Sequence, residues 1–167
     1  PILCFTAEEA WLQRNPGDAE SVHLRMFPEI PNTWRNEDLS EKWSYIRQVR
    51  RVVLGALEIE RAEKRMGSSL QAAPTVYVSP DKAELLSGLD LADVAITSDI
   101  TIKTEAPPAN AFTLADADGI AVVANKADGA KCERCWKVLP EVGQDAEYKD
   151  ICSRCAGAVR GYQEAAE

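Results

Sequence analysis

The sequence has little of several features on which whole classes of protein depend. It contains one histidine, His23, which lies far from the paired cysteines and has no identifiable acid or base partner, so we expect a structural role for it. No apolar run approaches the roughly 18 residues that a membrane-spanning helix needs, and no signal peptide is visible. No nucleophile–base pair or phosphate-binding motif is readable either. These absences disfavour a membrane protein, a secreted protein and an independent enzyme.

The chain also lacks the cysteine layout of a disulfide-rich secreted domain. Four of its five cysteines form two Cys-x-x-Cys pairs, and Cys4 stands alone. This pattern predicts a reducing, cytoplasmic compartment and a small, buried, apolar role for Cys4. Because the first residue is Pro1 and not Met, we expect a piece of a longer protein.

Positive charge is scarce overall but is locally concentrated. The net charge of the 167 residues is −8, which by itself argues against binding to a nucleic acid. Residues 126–162, however, contain seven basic and six acidic side chains, and residues 40–66 contain seven and four. Since a polyanion responds to charges within a Debye length of roughly 10 Å, these two islands could still contact one.

The clearest periodicity predicts one long helix over residues 37–66, with Asn36 as N-cap and Gly67 as the stop. Its apolar stripe consists of Leu39, Trp43, Ile46, Val49, Val53 and Leu57. Beside the stripe, four arginines share a narrow arc: Arg47, Arg51, Arg61 and Arg65. This face is either a solvated surface with ion pairs or a surface that contacts the backbone of a nucleic acid.

The flanking segments predict a helix–strand mixture. A short helix is expected around Thr6–Leu12, with Thr6 and Glu9 as a capping box. Strands are expected at 75–78, 94–97, 100–103 and 119–125, with a short helix that starts at Ser79-Pro80. The predicted fold class is therefore α+β: a helical segment with one long helix, a small α/β unit and a C-terminal four-cysteine module.

The two cysteine pairs predict a zinc knuckle or ribbon. Cys132, Cys135, Cys152 and Cys155 have the spacing C-x2-C-x16-C-x2-C, which lets two tight turns present four thiolates to one ion. Four protein ligands leave no open position, so one structural Zn²⁺ is expected and not a catalytic one. Another metal, such as an iron–sulfur cluster, and redox-active dithiols are the alternatives.

Arg134 and Trp136 flank the second cysteine of the first pair. Trp136 could wall the knuckle as part of a small core. Alternatively, an indole plane and a guanidinium on a rigid zinc scaffold could offer a stacking platform for a base and a contact for a phosphate.

The first knuckle, Lys131-Cys-Glu-Arg-Cys-Trp136, and the second, Ile151-Cys-Ser-Arg-Cys155, closely resemble the zinc domain of bacterial isoleucyl-tRNA synthetases. Three further stretches resemble the same family in the same order: Phe5-Thr-Ala-Glu-Glu-Ala-Trp11, Ser21-Val-His-Leu with its neighbour Phe27-Pro-Glu29, and Gly67-Ser-Ser-Leu-Gln-Ala72. The resemblance thus covers almost the whole chain.

The resemblance implies a class I enzyme that joins isoleucine to its tRNA with ATP and Mg²⁺, of which this piece is the C-terminal part. It implies an anticodon-binding region over 1–70, a junction domain over 71–127 and a zinc domain over 128–167. The four cysteines match the family's zinc ligands, and Arg134 and Trp136 match residues that contact the anticodon loop. A monomer is expected.

The family's two signature motifs, His-Ile-Gly-His and Lys-Met-Ser-Lys-Ser, are not in this sequence, so the piece alone is expected to be non-catalytic. The competing interpretation is a zinc-ribbon module that binds another protein.

Overall fold

A computed structural model describes residues 2–17 and 19–165, and these divide into two compact units, Pro1–Glu37 and Asp38–Glu167. The first unit contains helix α1 (Cys4–Arg14) and two 3₁₀ turns, Val22–Leu24 and Asn32–Trp34. The Glu8 carboxylate accepts a hydrogen bond from the Val22 backbone N–H at 2.8 Å and so fastens the first turn to the helix.

Two sequence-based expectations for this unit are wrong. Helix α1 begins two residues before the predicted capping box, with Leu3 as N-cap and without a capping side chain. Cys4 is exposed and not buried, because it lies in the first turn of a helix in which no residue is fully buried.

The second unit begins with α2 (Glu37–Ala62), the predicted long helix. Four residues of the expected stripe are buried, namely Ile46, Val49, Val53 and Leu57, together with Val52 and Ala56. The helix ends five residues before the predicted stop at Gly67. Lys64 adopts a left-handed φ of 58°, and the N–H groups of Arg65 and Met66 both return to the carbonyl of Glu60. A left-handed residue closes a helix in this way even without glycine.

A three-stranded sheet packs against α2. It consists of β1 (Thr75–Tyr77), β2 (Thr101–Lys103) and β3 (Ala121–Val123), in the order β2-β1-β3. Strand β1 pairs with β2 in parallel, Val76 opposite Ile102, and with β3 antiparallel, Val76 opposite Val122. Val76, Ile120 and Val122 share one hydrophobic core with Val53 and Leu57 of α2.

Between β1 and β2 lie α3 (Pro80–Leu86) and α4 (Leu91–Ala95). Helix α3 starts at Ser79-Pro80 as predicted. The predicted strand at 94–97 is wrong, because the Asp90 carboxylate accepts a hydrogen bond from the Asp93 N–H and starts α4 instead. Ile96 then ends that helix with a left-handed φ of 58°.

The C-terminal part contains a two-stranded antiparallel hairpin, β4 (Ala130–Lys131) with β5 (Val138–Leu139), and α5 (Ser153–Glu164). This arrangement confirms the α+β class with a C-terminal cysteine module. The domain boundaries at residues 70 and 127 stay predictions. None of the described helices is long and apolar enough to cross a membrane.

Candidate metal centre and nucleic-acid interface

The first knuckle is a tight loop between β4 and β5. The Cys132 N–H donates to the carbonyl of Lys137, and the Trp136 N–H donates to the carbonyl of Cys132, each at 2.8 Å. Inside this loop the Cys135 N–H points at the Cys132 sulfur, 3.5 Å away. The loop therefore holds both sulfurs on its inner side.

Gly129 lets the hairpin that carries this loop close. Its φ is 114°, and a Cβ atom at this position would lie 2.3 Å from the backbone carbonyl group of Leu139. A side chain larger than hydrogen would force the two strands apart, which explains why the hairpin begins with glycine.

The second knuckle forms the start of α5. Cys152 is the N-cap of the helix, and Cys155 lies in its first turn. The Cys152 N–H donates to the Cys132 sulfur at 3.3 Å, so the two knuckles are joined directly. Leu139, Val142 and Ile151 pack around the cysteines as a small satellite core.

All four sulfurs lie within 4.8 Å of one another, and those of Cys135 and Cys152 are 3.8 Å apart. Four thiolates at about 2.3 Å from one central ion lie about 3.8 Å apart, so the cluster fits a tetrahedral metal site. Within residues 2–17 and 19–165, no other group of His, Cys, Asp or Glu side chains converges in this way. The structure thus brings together the four residues that the spacing selected.

The electrostatics of the cluster also favour a bound cation. Burial disfavours the Cys132 thiolate, but hydrogen bonds from the N–H groups of Cys135, Cys152 and Arg134 outweigh burial and lower the pKa of Cys132 to about 6. Burial raises the pKa of Cys152 to about 12. A divalent ion is the counter-charge that would keep all four thiols deprotonated.

Two polar contacts attach the module to the α/β part of the same unit. The buried Ser98 hydroxyl donates to the Leu70 carbonyl at 2.5 Å and accepts from the Val138 N–H of β5 at 2.6 Å. The Lys137 ammonium group lies 2.5 Å from the Asp93 carboxylate of α4. Sequence reasoning missed Ser98 and Asp93, since nothing in the local pattern shows that residues about 40 positions apart meet.

Trp136 lies on the surface of the first knuckle. Its indole is 60% exposed, and Lys131 Nζ lies 5.5 Å from the ring centroid. Its backbone has a left-handed φ of 67°, which costs an L-residue about 1–2 kcal/mol. The exposed Trp136 side chain does not belong to the small apolar core around the cysteines, which disfavours the interpretation that it walls the knuckle.

Arg134 extends from the same knuckle to the second one. Its guanidinium donates to the Cys155 sulfur at 3.6 Å, while the residue as a whole remains exposed. The guanidinium can offset part of the formal −2 charge that four thiolates leave on a divalent ion.

The arginine face of α2 is largely paired with carboxylates. Arg51 lies 2.9 Å from Asp116, Arg61 lies 3.2 Å from Glu58, and Arg65 lies 2.6 Å from Glu60. Arg47 is exposed. Ion pairs, the first of the two interpretations, account for three of the four arginines. Contact of this face with RNA stays a prediction.

Comparison with known proteins first defines the class of the module. Residues 129–157 match the family described as "Zinc finger found in FPG and IleRS". The match selects zinc over the other metals and over redox-active dithiols for the four-cysteine cluster.

The whole chain is similar to particular proteins as well. It is 51% identical over 164 residues to the isoleucine–tRNA ligase of Bartonella henselae, which covers 98% of the chain and 17% of that protein. It is 51% identical over 161 residues to the ligase of Agrobacterium fabrum and 50% identical over 165 residues to that of Brucella abortus biovar 1. The chain spans about a sixth of the length of these relatives. The resemblance predicted from the ordered motifs is confirmed: the chain is related, along nearly all its length, to one segment of the isoleucine–tRNA ligases.

Proposed function

We propose that this chain is the C-terminal, anticodon-side tRNA-binding region of a cytoplasmic, monomeric isoleucine–tRNA ligase. In the full-length enzyme, ATP and Mg²⁺ serve the chemistry elsewhere, and this region holds one structural zinc ion through Cys132, Cys135, Cys152 and Cys155. Its task is to bind the tRNA for isoleucine.

The observation that carries this proposal is the placement of Trp136. A zinc-braced loop exposes its side chain on a left-handed backbone, and the guanidinium of Arg134, two residues earlier in the same loop, contacts the Cys155 sulfur. The knuckle turn sets this backbone conformation, and a bulky residue retained where glycine would be less strained suggests that the side chain has a function. A base of an RNA loop has a free π-face, and stacking it on an aromatic ring is worth about 1–3 kcal/mol.

Arg134 complements this platform. A guanidinium has five N–H donors, and the contact with the Cys155 sulfur leaves others for a phosphate or a base edge. Its attachment to the cluster reduces the conformational entropy that would be lost on binding.

The test measures tRNA affinity and zinc content on the same samples of full-length protein. Trp136→Ala is expected to weaken binding of the isoleucine tRNA about tenfold or more, at about 1.4 kcal/mol per decade, with zinc retained. Arg134→Ala should weaken binding too and, if its partner is a phosphate, lower the slope of log affinity against log salt by about 0.7. Trp136→Gly, which relieves the left-handed strain, should lose affinity without losing the fold.

Tyr162→Ala is a matched control, because Tyr162 is an aromatic residue of the same module and is 77% exposed. Zinc retained with unchanged affinity in both Trp136 variants would contradict the platform. Zinc lost together with affinity would assign Trp136 to the knuckle's structure. Weak binding that does not respond to salt would favour the alternative function, a module that docks another protein.

A further inference from the structure

The two knuckles contain the same element, an arginine immediately before the second cysteine. The first has Arg134 before Cys135, and the second has Arg154 before Cys155. Each arginine turns to the second cysteine of the other knuckle: Arg134 lies 3.6 Å from the Cys155 sulfur, and Arg154 lies beside the Cys135 thiol. The two guanidinium groups therefore stand at neighbouring corners of one sulfur cluster.

Asp93 is the second neighbour of Arg154. The carboxylate lies 3.8 Å from the Arg154 guanidinium but only 2.5 Å from the Lys137 ammonium group. Lys137 is the closer partner and its side chain is only 14% exposed, whereas the Arg154 side chain is 67% exposed. Asp93 thus shares its charge between the two cations, and the Arg154 side chain stays largely exposed.

We propose that Arg154 is a second phosphate-binding residue of the module, which acts with Arg134 on the backbone of the RNA strand whose base stacks on Trp136. This inference rests on the proposed function and extends it to the second knuckle. Arg154 is held at one edge by the Cys135 sulfur and Asp93, and its remaining N–H donors face solvent, where a phosphate oxygen can accept them.

Charge compensation of the metal cluster is the competing role for Arg154. Arg134 also touches the cluster, and Lys137 contributes a third cation within the same loop. A group needed for compensation alone would affect retention of the metal. A phosphate-binding group would affect RNA affinity and its dependence on salt.

The experiment uses the full-length protein and a transcript of the isoleucine tRNA, with affinity measured from about 0.05 to 0.3 M salt. Arg154→Ala should weaken binding about tenfold at the lowest salt concentration and reduce the salt slope by about 0.7. Zinc content and the rate of zinc release to a chelator should match those of the unsubstituted protein. Arg154→Lys should restore the slope and part of the affinity, because it keeps the charge but loses the planar donors.

Lys149→Ala is the control for net charge, since Lys149 is an exposed cation in the loop between the knuckles. Loss of zinc in parallel with loss of affinity would overturn the proposal in favour of compensation. Unchanged affinity in Arg154→Ala, with Trp136→Ala still defective, would overturn it and leave the proposed function standing. Unchanged affinity in both variants would remove the proposed function as well.

Discussion

Two aromatic residues of this chain lie in unfavourable environments, one exposed and one buried. Trp136 is exposed on a left-handed backbone, and the cost falls on the folded state. Tyr45 shows the reverse: its hydroxyl is buried without a hydrogen-bond partner among the described residues, on the edge of the core formed by α2. The backbone strain at Trp136 and the unsatisfied hydroxyl of Tyr45 each lower the stability of the folded state by roughly 1–3 kcal/mol, and the surrounding packing must offset this loss.

The environment of Tyr45 predicts a pH effect. Burial, followed by the nearby Asp81 carboxylate, raises the pKa of Tyr45 to about 12 from an ordinary value near 10. Because the folded state holds this proton more tightly than the unfolded state does, the contribution to stability is complete below pH 10. It is lost as the pH rises from 10 to 12. Absorbance titration should show Tyr45 still protonated at pH 11, as judged from the difference between the unsubstituted protein and Tyr45→Phe.

Two variants check this assignment. Tyr45→Phe should remove the titration step near pH 12, and Asp81→Asn should move that step to lower pH, since the variant loses a negative charge that opposes the phenolate. A Tyr45 hydroxyl that titrates near pH 10 in the folded protein would contradict the prediction.

At the scale of helices and strands, sequence patterns predicted the features that depend on residues close together in the chain. The spacing of Cys132, Cys135, Cys152 and Cys155 identified the metal site, because two intervening residues fix how a turn presents two sulfurs. The burial of Ile46, Val49, Val53 and Leu57 followed from helical periodicity. The β-branched residues at 94–97 predicted a strand, but the prediction was wrong. The Asp90 carboxylate caps helix α4 just before this segment, and the helix includes its first two residues.

Contacts between distant positions could not be read from the sequence. Arg51 pairs with Asp116, which lies 65 residues further along the chain, and Ser98 joins Leu70 to Val138. These partners meet because the sheet and the hairpin pack in a particular order. Periodicity shows which face of a helix is apolar but not which carboxylate will lie opposite its polar edge.

The knuckles and the α/β core should respond differently to metal removal. Among residues 2–17 and 19–165, the satellite core consists of three buried cysteines and a few half-buried apolar side chains, whereas the main core has sixteen buried residues. We expect one zinc ion per chain by native mass spectrometry. A chelator should abolish amide-exchange protection in residues 130–155 and leave β1 and β3 protected.

Lowering the pH should release the same ion, because the ligand thiols must then bind protons. Cys135→Ser, which weakens one ligand, should move this release to higher pH. A metal content near zero in protein purified without chelators would contradict the prediction, as would knuckle protection that persists after chelation.

At the scale of the whole molecule, the net negative charge opposes the cations at the knuckles. The chain carries a net charge of −8, yet Arg134 and Arg154 lie at the metal cluster with Lys131 and Lys137 close by in the sequence. At physiological salt, charges more than about 8 Å away are largely screened, so a phosphate at the knuckles responds mainly to these cations and to the carboxylates of Glu133 and Asp93 paired with them. Acidic residues elsewhere on the chain then disfavour docking orientations that bring a phosphate close to them.

The division of labour in the proposed ligase gives the last prediction. The 167-residue chain is expected to show no isoleucine-dependent ATP–pyrophosphate exchange and no aminoacylation, since its sequence offers no phosphate-binding motif and no nucleophile–base pair. In the full-length protein, Trp136→Ala should leave exchange near normal, because the proposed function places isoleucine activation in another part of the protein. It should lower aminoacylation at limiting tRNA about tenfold or more, in step with the loss of affinity. Both assays belong on one preparation, with Tyr162→Ala alongside. Two results would show that this region takes part in activation and does not only bind tRNA. One is ATP–pyrophosphate exchange activity in the purified 167-residue chain, and the other is an equal loss of exchange and aminoacylation in full-length Trp136→Ala.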